Sequence, residues 1–255
     1  MISIKTKEEI EILREGGRRL ALILNEVAKV VKPGVSTDEL NNLAEKLARD
    51  NGDEPAFLNY KPKGMRPYPA SICVSVNDEI VHGIPNENPK ILKEGDIVSL
   101  DMGLTHKGLI TDSAITVPVG KIDEASLKLI NTTKDALYAG IKAVKDGKTV
   151  GDIGYAIERV AKAADFRIVE ELCGHGVGYE VHEDPYVPNY GERGMGDKLK
   201  SGMVIAVEPM LNEGGREIVL DDNGWAYRTA DGKRSAHFEH TIAITPNGPE
   251  VLTRL

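Results

Sequence analysis

The segment LKEGDIVSLDM, Leu92 to Met102, returns later in the chain as LKSGMVIAVEPM, Leu199 to Met210. Both open on Leu-Lys-x-Gly, run through alternating aliphatic residues and reach an acid, Asp101 or Glu208, with a methionine close behind. A second pair, KPGVSTDEL (Lys32 to Leu40) and KDGKTVGDI (Lys145 to Ile153), precedes the first in the same order, so the duplication extends beyond one strand. Ser36 and Thr149 each stand three residues before an acid, Glu39 and Asp152, the pattern in which hydroxyl and carboxylate satisfy the free amides of a helix start.

Working outward, each start leads into an amphipathic stretch, STDELNNLAEKLARDNG or TVGDIGYAIERVAKAADF. A longer helical pattern precedes each: roughly residues 7–31, stopped by Pro33-Gly34, and roughly residues 124–145, stopped by Gly147. Short strand segments follow, ASICVSVND, GDIVSLDMGL and LITDSAITVPV in one half, then GMVIAVEPML, GREIVL, WAYRTA and HFEHTIAITP in the other. Turns rich in Gly, Asn and Asp join them, which predicts an antiparallel sheet. Two halves, approximately 1–120 and 121–255, predict an α+β architecture: one sheet across a pseudo-twofold axis with helices on its outer face. Nothing reads as a linker, so residues 1–255 are expected to form one catalytic domain.

The 255 residues, 41% apolar and 28% charged, suffice to bury a large core. No apolar run approaches the roughly 18 residues that span a bilayer, and the charged start MISIKTKEEIEILREGG is unlike a signal peptide; a cytoplasmic location and no membrane partner are the expectation. Two cysteines, Cys73 and Cys173, suit a reducing compartment better than a disulfide framework. A net charge of -8 argues against a general nucleic-acid binder, and Lys5, Lys7, Arg14, Arg18 and Arg19 read as a solvated helix face.

Asp101 and Asp112 interrupt two apolar strand segments, where carboxylates are costly unless something neutralises them. With His106 and Lys107 at the tip of a tight turn, the two aspartates would face each other directly; a turn with Gly108 in the left-handed region would shift that register by about one residue. Glu208 repeats Asp101, and Glu239 interrupts a further strand, flanked by His237 and His240. His175 lies between glycines in CGHGVGYEVHEDP with His182 beyond it, and His82 adjoins Gly83 in IVHGIP. A lone buried acid is as readily satisfied by amides or an arginine as by a metal. Four carboxylates with an imidazole form a hard ligand set, and their charge would nearly neutralise two divalent cations, which points to a dinuclear centre.

These motifs, VSVNDEIVHGIP, GDIVSLDMG, ITDSAITV, CGHGVGYEVHEDP, GMVIAVEPM and FEHTIAIT, identify the sequence as resembling the methionine aminopeptidases, in their short bacterial type I form, within the M24 metallopeptidases. The resemblance covers essentially the whole chain. It implies the pita-bread fold, a curved antiparallel sheet with outer helices and internal pseudo-twofold symmetry. It further implies two metals and removal of the initiator methionine from nascent polypeptides whose second residue is small. Carried over, the ligands would be Asp101, Asp112, His175, Glu208 and Glu239, with Asp101 and Glu239 bridging, Asp112 completing one metal, and His175 with Glu208 the other. A metal-bridging hydroxide would attack the scissile carbonyl, Glu208 would shuttle the proton, His182 would meet the carbonyl oxygen and His82 the scissile nitrogen. Tyr68, Cys73, Trp225 and Met65 would line the methionine pocket, with Trp225 at its rim. Met65 stands where relatives often carry tyrosine, and Val181 where many carry phenylalanine.

The ligand set tolerates cobalt, manganese, iron(II), zinc or nickel. The resemblance implies a monomer in transient contact with the ribosome, without specific nucleic-acid binding. Proline-specific relatives share the ligands but usually carry an additional N-terminal domain, for which the 81 residues before His82 leave no room. The type II enzymes insert a helical subdomain between the last two ligands, and Glu208 and Glu239 stand too close in sequence for one. A non-catalytic pita-bread protein would have lost the metals; the complete ligand set and both substrate histidines argue against it.

Overall fold

The computed structural model describes residues 2–255. The first half runs α1 (Lys7–Val30), α2 (Thr37–Asp50), β1 (Glu54–Pro55), β2 (Cys73–Val76), β3 (Glu79–Val81), β4 (Ile97–His106) and β5 (Leu109–Pro118). The second runs α3 (Glu124–Ala143), α4 (Val150–Ala163), β6 (Arg167–Ile168), β7 (Cys173–Gly176), β8 (Glu183–Pro188), β9 (Val204–Val207) and β10 (Met210–Asn212). It closes with β11 (Ile218–Leu220), β12 (Tyr227–Thr229), β13 (Ser235–His237), β14 (Glu239–Thr245) and β15 (Gly248–Val251).

A nine-stranded, curled antiparallel sheet carries both halves. Across its middle the order is β2-β4-β5-β14-β9-β7, a palindrome in which the repeated segments β4 and β9 hold equivalent places. The second repeat docks on the first identically in each half. The Gly34 N–H donates to the Leu92 carbonyl at 2.8 Å and the Gly147 N–H to the Leu199 carbonyl at 2.9 Å. Isolated bridges, Ser36 with Ile91 and Thr149 with Lys198, follow in both. The expected pseudo-twofold axis therefore lies between β5 and β14.

Alternation along β4 decides its faces. Val98, Leu100, Met102 and Leu104 join the core with α1 and α2, through Leu20, Leu24, Val27 and Leu40, while Ser99 and Asp101 point the other way. Burial of each such leucine contributes about 1.5–3 kcal/mol. The second half repeats the arrangement, with Leu137, Ile153 and Ile157 of α3 and α4 packed on Ile205, Val207 and Ile242. The helices end close to the expected stops. At Thr149 the acid is the acceptor: the threonine N–H and hydroxyl both donate to the Asp152 carboxylate, at 3.0 and 3.1 Å. At Ser36 only one direction forms, the Glu39 N–H donating to the serine hydroxyl at 3.2 Å.

The β4–β5 hairpin corrects the expected register. His106 pairs with Leu109, so the tip is Lys107-Gly108, both at positive φ (48° and 81°), the backbone of a two-residue hairpin turn. Asp101 consequently faces Ala114 and Asp112 faces Gly103, which makes the two aspartates diagonal neighbours on one face instead of direct partners. His106 is not at the tip either; it is buried with Nδ1 2.7 Å from Asp53 Oδ1. Two expected strands are broken in the second half: β9 ends before Glu208-Pro209, where proline offers no N–H, and Phe238 separates β13 from β14. The arginines of α1 are paired, Arg14 with Glu11 and Glu250, Arg18 with Glu15, and Arg19 with Glu15 and Asp53.

Candidate active site

The sheet brings the five expected ligand residues to one cavity of about 270 Å³. Ala114 lies between Asp101 on β4 and Glu239 on β14, facing both across the strands. Asp112 follows two residues earlier on the same face of β5. Regular pairing between β5 and β14 stops there; the Thr241 hydroxyl accepts the Asp112 N–H at 2.9 Å and donates to its carbonyl at 2.7 Å. This side-chain rung lets the strands part beneath the acids. Glu208 leaves the end of β9, its backbone carbonyl held by Asn189 Nδ2 at 3.0 Å. On β7, His175 Nδ1 lies 2.9 Å from the Gly176 carbonyl; with Nδ1–H as donor, Nε2 is free as a ligand.

Donor atoms of Asp112, His175 and Glu239 lie within 4.8 Å of one another, as do those of Glu208, His237 and Glu239. Each oxygen of Glu208 is 3.3 Å from an imidazole Nε2, Oε1 from His175 and Oε2 from His237. Burial pushes Asp101 and Glu239 well above the ordinary carboxylate range, with the neighbouring acids adding to it. Burial also raises Asp112 and Glu208, each to about 8. It lowers His175 and His237, both to about 3, so the imidazoles carry no charge to offset the acids.

Among the described residues, no lysine or arginine lines the cavity. Asp101 Oδ1, Asp112 Oδ1 and Glu239 Oε1 are buried with no hydrogen-bond partner among the described residues. Three carboxylates in that state, beside a fourth, Glu208, that meets only uncharged imidazoles, are costly, and divalent cations are the chemistry that would satisfy them together with a neutral imidazole. The residues present therefore fit metal ions.

The remaining expected residues lie around these acids. His82 takes a left-handed backbone, φ 59°, which costs a non-glycine residue about 1–2 kcal/mol and is a strain often found at functional sites. Its ring stands edge-on to Trp225 and Tyr227 at 6.2 and 6.1 Å, and burial lowers it to about 4. His182 lies at the mouth, with Nδ1 2.7 Å from the Tyr60 hydroxyl and its ring 4.4 Å from that of His175. Tyr68, Cys73, Met65 and Trp225 all line the cavity. Trp225 is a wall residue, not a rim one: it is buried and packs edge-on against Tyr68 at 5.2 Å. Val181 is buried in the same cluster with Phe57 and Ile84. Burial and nearby Asp101 keep the Cys73 thiol protonated.

Sequence reasoning missed several lining residues, among them Phe57, Tyr60, Cys173, Met210 and Tyr227. It noted His237 but gave it no place in the site. Strand alternation was the available signal there, because His237 and Glu239 share a parity; for Tyr60, in an irregular loop, no periodicity exists to read.

A curled antiparallel sheet, a pseudo-twofold axis and an acid-lined cavity that fits metal ions define a metallohydrolase of the pita-bread class. Residues 11–246 match Metallopeptidase family M24, and the chain belongs to that family. It is 46% identical to methionine aminopeptidase 1 of Bacillus subtilis (strain 168), with all of both chains covered. It is 47% identical to the methionine aminopeptidase of Aquifex aeolicus (strain VF5), covering 100% of this chain and 99% of that one. The crystal structure of methionine aminopeptidase from Thermotoga maritima superposes with a TM-score of 0.94 at 43% identity, all of both chains covered. Prolidase from Pyrococcus furiosus gives 0.78 at 26%, covering 99% of this chain and 65% of that one. The chain is a metallo-aminopeptidase, a hydrolase that uses divalent metal ions. Among the described residues no helix is long and apolar enough to cross a membrane.

Proposed function

We propose that this chain, acting as one catalytic unit over residues 1–255, removes the initiator methionine from nascent polypeptides whose second residue is small. The observation that carries the reading is the convergence of Asp101, Asp112, His175, Glu208 and Glu239 on one cavity that, among the described residues, no lysine or arginine lines. These five would hold two divalent ions, cobalt, manganese, iron(II), zinc or nickel. When bound, such ions polarise a carbonyl and lower the pKa of water. Cytoplasmic location, transient contact with the ribosome and a monomeric state belong to the same reading.

The residues divide the remaining work. Buried Tyr68, Cys73 and Trp225, with half-buried Met65, form a polarisable wall suited to a thioether, and they exclude water from it. The free α-amino group of the substrate is attracted to the acids, which restricts the site to chain ends. Neutral His182 donates to the scissile carbonyl oxygen as negative charge develops, with Tyr60 fixing its ring through Nδ1. His82, also on the cavity wall, would meet the scissile nitrogen. Glu208 accepts the proton of the attacking water at a carboxylate oxygen and returns it to the leaving amine.

The test compares Met-Ala-Ser, Met-Leu-Ser and Ala-Pro-Ala with chelator-stripped protein, with and without Mn²⁺ or Co²⁺. Metal-dependent cleavage of Met-Ala-Ser alone is expected. Cleavage of Ala-Pro-Ala would move the chain to the proline-specific branch, and no turnover with any metal would end the catalytic reading.

A further inference from the structure

The loop of residues 177–182 between β7 and β8 carries His182, yet most of what fixes it lies outside the cavity. At one end the Gly178 carbonyl accepts the Ile110 N–H of β5 at 2.7 Å. At the other end Glu183, next to His182, is gripped at both carboxylate oxygens. Its Oε1 accepts the N–H groups of Tyr179 and Glu180 at 2.5 and 3.1 Å, folding the loop back on itself. Its Oε2 accepts from Ser3 Oγ at 2.5 Å and Lys5 Nζ at 2.6 Å.

The Lys5 side chain is fully buried and that of Glu183 is 9% exposed. A buried ammonium is costly to desolvate and persists only where it is paired and hydrogen-bonded. Here the pairing is complete: Lys5 Nζ also reaches Ser3 Oγ, and it stands 4.5 Å from the centroid of the Tyr179 ring. The Tyr179 hydroxyl in turn donates to Glu9, the acid of the cap at the start of α1. The backbone of Lys5 is held as well, its N–H donating to the Gly202 carbonyl at 2.8 Å. A Cβ on Gly178 would lie 2.5 Å from Lys5 Cε, so glycine is the opening through which the lysine reaches the loop. Although burial raises the Glu183 carboxyl, the bonds from Lys5, Ser3 and the Glu180 amide outweigh it and hold the group below its usual range.

We infer that Lys5, with Ser3, is a positioning group for catalysis: it clamps Glu183 so that the loop presents His182 to the substrate carbonyl. The inference rests on the role proposed above for His182. Lys5 touches no reacting atom and acts only through the loop.

The test measures Met-Ala-Ser turnover by Mn²⁺-loaded protein, alongside bound metal per chain, for Lys5→Met, His182→Ala and the double variant. Lys5→Met should lower kcat about tenfold to a hundredfold, the scale of a small misplacement of a reacting group, with KM and metal content near those of the parent. In the His182→Ala background the same substitution should change kcat no further. An equal loss in both backgrounds would reduce Lys5 to a structural residue, and a parent-like kcat in Lys5→Met would overturn the inference while leaving His182 in place. A parent-like kcat in His182→Ala alone would remove the role of His182 and the inference with it. Should Lys5→Met not fold, Ser3→Ala keeps the ion pair and removes one donor to Glu183. A several-fold drop in kcat, absent without His182, would then support the clamp, and no drop would overturn it.

Discussion

The two halves share one scaffold and diverge in what they place on it. In the first half, β4 and β5 pair over their whole length through a two-residue turn, and both acids sit within regular strands. In the second, β9 and β14 pair at only four positions, residues 208–238 intervene, and both acids lie where a strand starts or stops. The difference is sharpest beside them. Val76 faces Val98 and Gly176 faces Ile205, and Val98 and Ile205 hold the same place in the repeat. Ser75 and His175, each one residue earlier, are therefore counterparts. Ser75 accepts the Gly83 N–H at 3.1 Å, a local structural bond, whereas His175 turns its free Nε2 toward Glu208. The repeat pairs Asp101 with Glu208; the imidazole is an addition on one side only.

The largest expected effect removes one of the two acids that face Ala114. Asp101→Ala should lower Met-Ala-Ser turnover about 10³-fold, since several kcal/mol of charge stabilisation would be withdrawn. Calorimetric titration with Mn²⁺ should show weakened binding with the fold retained. Parent-like metal binding would mean that the acids opposite Ala114 serve another purpose.

The counterparts on β2 and β7 sharpen the comparison at the next scale. His175→Ala should weaken metal binding by about 10- to 100-fold and lower turnover with it. Ser75→Ala should leave metal binding unchanged and cost about 1 kcal/mol of stability, the loss of one buried hydrogen-bond acceptor. The two titrations and a denaturation midpoint decide the matter. If Ser75→Ala disturbed the metals as His175→Ala does, the halves would be functionally equivalent and the asymmetry drawn above would fail.

The duplicated sheet, the four helices and the acids that gather in the cavity were legible because each rests on local signals: Leu-Lys-x-Gly starts, helix caps and acids that break apolar alternation. The hairpin register was not, because Lys107 adopts a positive φ that lysine seldom signals, and Asp53, remote in sequence, draws His106 inward. The cavity walls were half legible. Cys73 and Trp225 stand near recognisable motifs, but Phe57 and Tyr60 reach the site from an irregular segment whose course is set by tertiary packing alone. Lys5 read as part of a solvated face because its partner lies 178 residues away.

The smallest effect concerns the helix starts, where the halves differ by one hydrogen bond. Asp152 is buried and takes both donors of Thr149, while Glu39 is exposed and makes no return bond to Ser36. Asp152→Ala should therefore cost about 1 kcal/mol, whereas Glu39→Ala should stay within about 0.5 kcal/mol of the parent. Urea unfolding at saturating metal would measure both on one scale. Equal losses would show that Glu39 closes its cap in solution, and that the two helix starts, unlike the two acid-bearing strand faces, kept the symmetry of the repeat.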